Sequence, residues 1–430
     1  IPVKRLLRGA RIIDPSQNLD GVLDLLIEDG RIRSLGETTT AGGDQTGIEE
    51  WDLTGKIVVP GLVDMHTHLR EPGFEYKETI RSGSEAAAAG GFTSVACMAN
   101  TNPVNDTRSV TEFILRKARE HGIVRVYPVA AISRGLRGEV LTEFGDLKEA
   151  GAAAFSDDGK WVVDSSLMRQ ALEYAASFGM PVISHCEDPF LSKDGAMNEG
   201  RVSTELGLQG IPSIGEEIAV RREIALAEYT GFPVHLAHVS TAGSVRAIRE
   251  AKKAGIPVTA ETAPHYFTLT EELLEGYDTA YKVNPPLRTE RDVAAVKEGL
   301  ADGTVDAIAT DHAPHSSIEK DVEFEYAACG MIGLETALGL SLKLVRDGVL
   351  TMPQLVEKMS LHPARILRIP RGTLKEGADG DVTVIDPDVF WKVRVDSFRS
   401  LSRNSPFHGW PLQGKAVMTL LGGEIRHNEL

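Results

Sequence analysis

Two histidines separated by one residue follow an apolar, β-branched stretch of the chain. The stretch reads KIVVPGLVDM, and it leads into His66, His68 and Arg70. Alternate residues of a strand share a face, so both imidazoles can bind one metal ion. The guanidinium of Arg70 offers paired donors that suit a carboxylate. This segment therefore predicts a metal site beside an anion-binding group.

Metal-binding residue types also end four further apolar stretches. An isolated buried carboxylate at Asp311 would be costly unless a metal or a catalytic proton compensated for it. His235 precedes His238 by three residues and is predicted to face the outer layer as a core histidine. Only one of two neighbouring aspartates can reach a shared site, and the other is expected to cap a turn. The four ends carry Asp157 with Asp158, His185, His238, and Asp311 with His312.

Cysteine is scarce in the sequence. The three cysteines, Cys97, Cys186 and Cys329, show no C-x-x-C spacing. This pattern argues against a thiolate zinc site and against a disulfide framework. They are expected to be reduced and mostly buried, so a metal here must be bound by histidine and carboxylate.

The elements between these residues alternate between short apolar runs and helical patterns. This alternation is typical of repeated βα units and favours a (β/α)8 TIM-type barrel of the α/β class. An open doubly wound sheet would need a glycine-rich turn after its first strand, and the sequence has none. Four helices are predicted at 106–122, 164–179, 241–255 and 289–303. Eight strands are predicted at 57–66, 92–99, 124–132, 152–158, 181–187, 233–240, 257–265 and 305–312.

Both ends of the chain have a different pattern. Residues 1–55 and 368–430 alternate apolar and polar residues around Asp-Gly turns, which indicates antiparallel hairpins. We predict that they pair into one small composite β-domain beside a catalytic barrel at 56–367.

Composition limits the classes of function. The net charge of −16 argues against a general nucleic-acid or membrane-surface binder. No apolar run reaches the roughly 18 residues of a membrane span, and the first residues lack a signal-peptide core. The expectation is a cytoplasmic enzyme with a small-molecule substrate.

Several motifs resemble the bacterial dihydroorotases, which belong to the cyclic amidohydrolase branch of the metal-dependent amidohydrolases. The resemblance covers nearly the whole chain, and HTHLREPG and TDHAPH are its most discriminating segments. The other segments are MANTNPVND, AFSDDG, ISHCED, LAHVSTAGS, KVNPPLR, GTLKEGADGDVTVIDPD and SRNSPFHGWPLQGK.

The resemblance implies a two-zinc centre, with a single zinc ion as the alternative. His66 and His68 would bind the first ion, and His185 and His238 the second. Asp158 would bridge the two ions. Many cyclic amidohydrolases have a carboxylated lysine at this position, so FSDD resembles the subgroup that uses aspartate.

The resemblance also assigns the reaction and its substrate contacts. It implies reversible cyclisation of N-carbamoyl-L-aspartate to L-dihydroorotate in pyrimidine biosynthesis. Asp311 would contact the metal site and act as the general acid and base. Cys329 stands where the family commonly has phenylalanine, which would leave a smaller pocket wall. The substrate-binding residues would be Arg70, Asn100, Asn284 and His315, with Cys329 and Gly330 as further contacts.

Two alternatives stay open at this point. Another cyclic amidohydrolase, such as a hydantoinase or an allantoinase, would usually carry the bridging lysine. A non-catalytic relative that serves as an assembly partner would have lost the metal ligands that this chain retains. By resemblance, the chain could form a homodimer or a complex with aspartate transcarbamoylase.

Overall fold

The computed structural model describes residues 4–36 and 47–430. Eight parallel strands form one sheet in which each strand pairs with its neighbour in the chain order of the barrel. The sheet closes where Thr67 and His312 form a parallel bridge and the His68 amide donates to the His312 carbonyl at 2.8 Å. Barrel strands 1 to 8 span Leu62–Thr67, Phe92–Cys97, Arg125–Ala130, Ala154–Ser156, Val182–Ser184, Val234–Leu236, Val258–Thr262 and Ala307–Ile308.

Helices cover the outside of this barrel, which confirms the predicted (β/α)8 class. The α-helices span Ile80–Ala89, Arg108–His121, Phe144–Ala150, Ser165–Ser177, Arg201–Leu206, Ile214–Thr230, Ala242–Lys253, Glu290–Ala301, Ser317–Lys320, Ala337–Arg346, Met352–Val356 and His362–Ile366. A π-helical turn, Glu357–Leu361, joins the last two. Short 3-10 helices span Pro15–Gln17, Arg134–Leu136, Pro264–Phe267, Glu271–Gly276, Thr279–Tyr281 and Val395–Ser397.

Local capping explains where three of the predicted helices begin. The Asp164 carboxylate accepts from the amides of Ser166 and Leu167, and Thr241 and Thr289 cap their helices through the side-chain oxygen. Each cap satisfies an amide that has no partner within the helix. All four predicted helices are confirmed, with ends shifted by one or two residues.

The two ends of the chain form a second, mostly antiparallel sheet. Its strands follow the spatial order Glu424–Asn428, Pro411–Leu421, Val382–Lys392, Ile57–Pro60, Lys4–Asp14, Leu19–Glu28 and Arg31–Gly36, and Ile48–Asp52 pairs with Lys4–Asp14. The predicted pairing of both termini is confirmed. The exact division into 1–55 with 368–430 and 56–367 stays a prediction. A separate pair of short strands, Met197–Asn198 and Gly210–Ile211, lies outside both sheets.

The first predicted strand, 57–66, is wrong as a single element. Ile57–Pro60 pairs with the terminal sheet, whereas Leu62–Thr67 begins the barrel. Gly61 separates them, and a Cβ there would lie 2.1 Å from the Thr93 hydroxyl. The chain therefore passes from one sheet to the other at a residue that has to be glycine. Among the described residues, no helix combines the length and the apolar character that a membrane crossing requires.

Candidate metal centre and active site

The predicted ligands meet at the carboxyl-terminal mouth of the barrel. Barrel strands 1, 4, 5, 6 and 8 end at or just before them. A buried carboxylate, Asp64, joins the first and last of these strands by accepting from the Thr310 amide at 3.1 Å and the Thr310 hydroxyl at 2.5 Å. Asp64 also accepts from the His66 amide at 3.1 Å. The backbone that carries the first ligand, His66, is therefore fixed to the segment that follows barrel strand 8, where the sheet closes.

Two imidazoles from barrel strand 1 face two carboxylates. The Nε2 atoms of His66 and His68 lie 3.3 and 3.4 Å from the Asp158 oxygens. The same two nitrogens lie 3.4 and 3.2 Å from Asp311 Oδ1. All four side chains are buried. One ion between them would have two nitrogen and two oxygen ligands, a donor set that suits zinc.

A second group of donors shares Asp158. His185 Nδ1 and His238 Nε2 each lie 3.6 Å from Asp158 Oδ1 and 2.8 Å from each other. The ligand atoms of each triad, His66–His68–Asp158 and Asp158–His185–His238, lie within 4.8 Å of one another. Asp158 therefore stands between two potential metal positions.

Unpaired buried atoms test whether these residues suit a metal. His66 Nε2 and Asp158 Oδ1 are buried and have no hydrogen-bond partner among the described residues. A buried acceptor without a partner is costly, and a cation between them would remove that cost. The residues present therefore fit a metal ion of the kind that the sequence predicts.

The pair Asp157 and Asp158 divides its roles as predicted. Asp157 accepts from the Ser133 amide at 2.9 Å and from the Ser133 hydroxyl, so it closes a turn. Asp158 points into the mouth. His312 also points away from the mouth, because its Nε2 contacts Glu78 at 3.1 Å.

A glutamate that sequence reasoning missed lies behind the first triad. The Glu261 oxygens contact His66 Nδ1 at 2.5 Å and His235 Nε2 at 3.1 Å. The prediction that His235 faces the outer layer is wrong, because its ring lies inside the barrel beneath the ligands. Hydrogen bonding to His66 Nδ1 leaves Nε2 free as a metal ligand. Only the alternation of barrel strand 7, which turns Glu261 inward, could have indicated this contact.

A second missed glutamate lies behind the second triad. Glu187 Oε2 contacts His185 Nε2 at 3.0 Å and accepts from Asn284 Nδ2 at 2.8 Å. His68 Nδ1 contacts the Asn100 oxygen at 2.9 Å. Both predicted asparagines therefore contact a ligand, directly or through Glu187.

The charges of the site favour a cation. Burial raises the pKa of Glu261, but the charge of His66 and the hydrogen bonds to both histidines lower it more, to about 2. Burial also raises the pKa of Asp158 and Asp311, but the neighbouring imidazoles lower it more. Both pKa values therefore lie below the usual range of an aspartate. Burial lowers the pKa of His185, whereas its carboxylate partners raise it to about 10. Ionised carboxylates thus concentrate negative charge around the imidazoles.

Three site residues have left-handed backbone conformations. The φ angles are +62° at Arg70, +35° at His238 and +49° at Asp311. A side chain other than glycine is strained there, and such strain persists only where the surroundings enforce it. The backbone turns sharply at these positions, and each of the three side chains lines the mouth.

The remaining predicted residues line one cavity of about 260 Å³ above the ligands. Arg70 is buried, and its Nη2 lies 3.3 Å from His315 Nε2. Burial lowers the pKa of Arg70 to about 10, so it stays charged at neutral pH. Every predicted site residue except His66 lines this cavity, namely His68, Arg70, Asn100, Asp158, His185, His238, Asn284, Asp311, His315, Cys329 and Gly330. All three cysteines are free thiols, and Cys329 is exposed.

We expect Glu261→Gln to weaken metal binding about 10- to 100-fold, because the amide keeps one acceptor oxygen but loses the second acceptor and the negative charge. Chelator competition measures this affinity. Glu78→Gln is the matched control, because Glu78 is also buried and bonded to a histidine that does not face Asp158. Equal metal affinity in wild type and Glu261→Gln would contradict the prediction.

We expect Gly330→Ala to destabilise the fold by about 1–3 kcal/mol and to raise KM, because its φ of +137° disfavours a side chain. Its new Cβ would also lie 2.7 Å from Ala313 Cβ, inside the cavity wall. Denaturant unfolding and steady-state kinetics measure the two effects. Gly348→Ala, with a φ of +73° and no atom within 4 Å of its Cβ, should lose stability at unchanged KM.

Comparisons with solved structures show the same architecture. An L-hydantoinase (dihydropyrimidinase) from Arthrobacter aurescens superposes with a TM-score of 0.88 at 25% identity, covering 99% of this chain and 96% of that one. A dihydropyrimidinase from Brevibacillus agri gives 0.86 at 24% identity, covering 99% and 95%. The barrel and its histidine–aspartate cluster therefore define a hydrolase of the cyclic amidohydrolase class.

Sequence comparisons are more specific. A family model described as dihydro-orotase-like matches residues 55–244. A dihydroorotase from Syntrophus aciditrophicus is 61% identical over 427 residues, which are 99% of this chain and 100% of that protein. A dihydroorotase from Geobacter metallireducens is 58% identical and covers 98% of both chains. The chain belongs to the dihydroorotase family.

Proposed function

We propose that this protein is a zinc-dependent enzyme that interconverts N-carbamoyl-L-aspartate and L-dihydroorotate in pyrimidine biosynthesis. The convergence of four imidazoles on Asp158, with Asp311 beside them, carries this proposal. Membership of the dihydroorotase family supports this substrate over hydantoin or allantoin. The retained ligand set argues against a non-catalytic assembly partner.

Two zinc ions fit this site, with one ion as the alternative. His66 and His68 would hold the first, His185 and His238 the second, and Asp158 would contribute to both. Bound zinc supplies a water of lowered pKa and polarises a carbonyl oxygen. Asp311, which follows barrel strand 8, would complete the first ligand set.

Asp311 is the proposed acid and base. Its Oδ1 lies within 3.4 Å of His66 and His68, and its lowered pKa keeps it ionised at neutral pH. In the ring-opening direction it accepts the proton of the attacking water and delivers it to the departing ring nitrogen. A carboxylate within hydrogen-bond reach of both groups can perform both transfers.

The cavity wall binds and orients the substrate in this proposal. The Arg70 guanidinium forms paired hydrogen bonds with the substrate carboxylate. His315 adds a neutral donor, because burial and neighbouring cations lower its pKa to about 3. The other proposed contacts are Asn100, Asn284, and the backbone at Cys329 and Gly330.

Ring opening of dihydroorotate by the purified, zinc-reconstituted protein tests the proposal, with hydantoin and allantoin as comparison substrates. Rapid turnover of dihydroorotate alone supports it. Turnover of hydantoin instead would reassign the substrate, and a protein that neither binds zinc nor turns over any of the three would refute an enzymatic role. The same assay, with added aspartate transcarbamoylase and with sizing of the particle, tests the proposed complex and homodimer.

A further inference from the structure

A buried lysine lies next to the cavity. Lys77 follows the end of barrel strand 1, and its Nζ is 2.5 Å from Glu319 Oε1. The same Nζ is 3.4 Å from His315 Nδ1 and 5.0 Å from the centre of the Phe74 ring. Lys77 is only 8% exposed, and burying an ammonium costs free energy that one carboxylate repays only in part. A neutral residue at this position would avoid that cost, so the burial of Lys77 indicates a function that requires its ammonium group.

The contacts of His315 determine its tautomer. An ammonium can only donate, so the Lys77 contact requires a lone pair on His315 Nδ1. His315 Nε2 lies 2.9 Å from the Cys329 carbonyl oxygen, which can only accept. Both contacts therefore place the single ring hydrogen on Nε2. Arg70 Nη2 can also only donate, so its 3.3 Å approach to the same nitrogen is a contact between two donors, and an acceptor bound between them would satisfy both.

Charged side chains lie close to both ring nitrogens of His315. Arg70 and Lys77 approach its ring from opposite nitrogens. Among the described residues, the one carboxylate that forms an ion pair with either is Glu319, 3.8 Å from His315 Nδ1. Glu319 also accepts from the Tyr76 hydroxyl and from the Ser316 hydroxyl, which hold its carboxylate in place beside Lys77. Glu319 offsets much of the Lys77 charge, so Lys77 acts on an anion bound at Arg70 chiefly through its contact with His315.

We propose that Lys77 is a positioning residue that makes the cavity selective for a substrate carboxylate. It keeps the His315 hydrogen on Nε2, beside the Arg70 guanidinium, so that both groups can donate to one carboxylate. The inference rests on the proposed function, because the carboxylate in question is that of dihydroorotate. A purely structural lysine would tie two loops together without distinguishing charged from neutral substrates.

The test compares Lys77→Met with the charge-conserving Lys77→Arg, using dihydroorotate and its neutral carboxamide as substrates. Lys77→Met should raise KM for dihydroorotate about 10-fold at nearly unchanged kcat, and leave kcat/KM for the carboxamide within about twofold. Lys77→Arg should restore most of the affinity for dihydroorotate. Equal losses on both substrates in Lys77→Met would overturn the inference.

Glu319→Gln provides an independent variant if Lys77→Met fails to fold. It leaves the ammonium unneutralised, so KM for dihydroorotate should stay constant or fall. A rise in KM in Glu319→Gln, equal on both substrates, would show that the pair only holds the loop and would overturn the inference. Wild-type protein that binds zinc but does not open dihydroorotate would instead refute the proposed function, which is visible before any variant is compared.

Discussion

Asp158→Ala is expected to lower kcat/KM by about 10³-fold or more, because one carboxylate serves both metal positions. Its oxygens lie 3.3–3.6 Å from the ring nitrogens of all four histidines. Removing it leaves His66, His68 and Asp311 at the first position but only two imidazoles at the second, which is too few ligands for a stable zinc site. Zinc content per chain and turnover of dihydroorotate measure the two consequences together.

Asp157→Asn is the control for this variant. Asp157 adjoins Asp158 and is also buried, but it bonds to Ser133 and not to the imidazoles. Its replacement should lower the unfolding temperature and leave zinc content unchanged. Full zinc content and wild-type turnover in Asp158→Ala would contradict the assignment of Asp158 as the shared ligand.

Asp311→Asn should lower kcat by about 10²- to 10⁴-fold, the usual contribution of a positioned acid or base. The amide has nearly the same shape and keeps an oxygen that can contact His68, so zinc content should fall much less than in Asp158→Ala. It cannot accept a proton at neutral pH. Single-turnover ring opening measures the chemical step without interference from product release.

The pH profile separates loss of the base from loss of the metal. Burial raises the pKa of Asp311, but the neighbouring imidazoles lower it more, so the wild-type carboxylate is ionised throughout the neutral range. A slow Asp311→Asn variant with normal zinc content and a changed acid limb would support proton transfer by Asp311. Wild-type kcat in this variant would assign the proton to another group.

Several features were determined by the sequence alone. Strand-length apolar runs that alternate with capped helices specify the barrel, because burial on both faces makes barrel strands continuously apolar. The ligand types were also evident, because metal chemistry restricts them to histidine and carboxylate and the fold gathers strand ends at one mouth. The spacing of His66 and His68 needed only strand periodicity.

Other features were decided only by the tertiary structure. The contacts of Glu261 with His66, Glu187 with Asn284, and Lys77 with His315 join residues that lie 97 to 238 positions apart in the sequence. Local periodicity gives the face on which a residue lies but not its partner across the barrel, which is why His235 was misassigned. Local periodicity also does not show which sheet a strand joins, so the sequence did not reveal the break at Gly61. Two sheets share one apolar run there, and only packing against Thr93 shows where the first ends and the second begins.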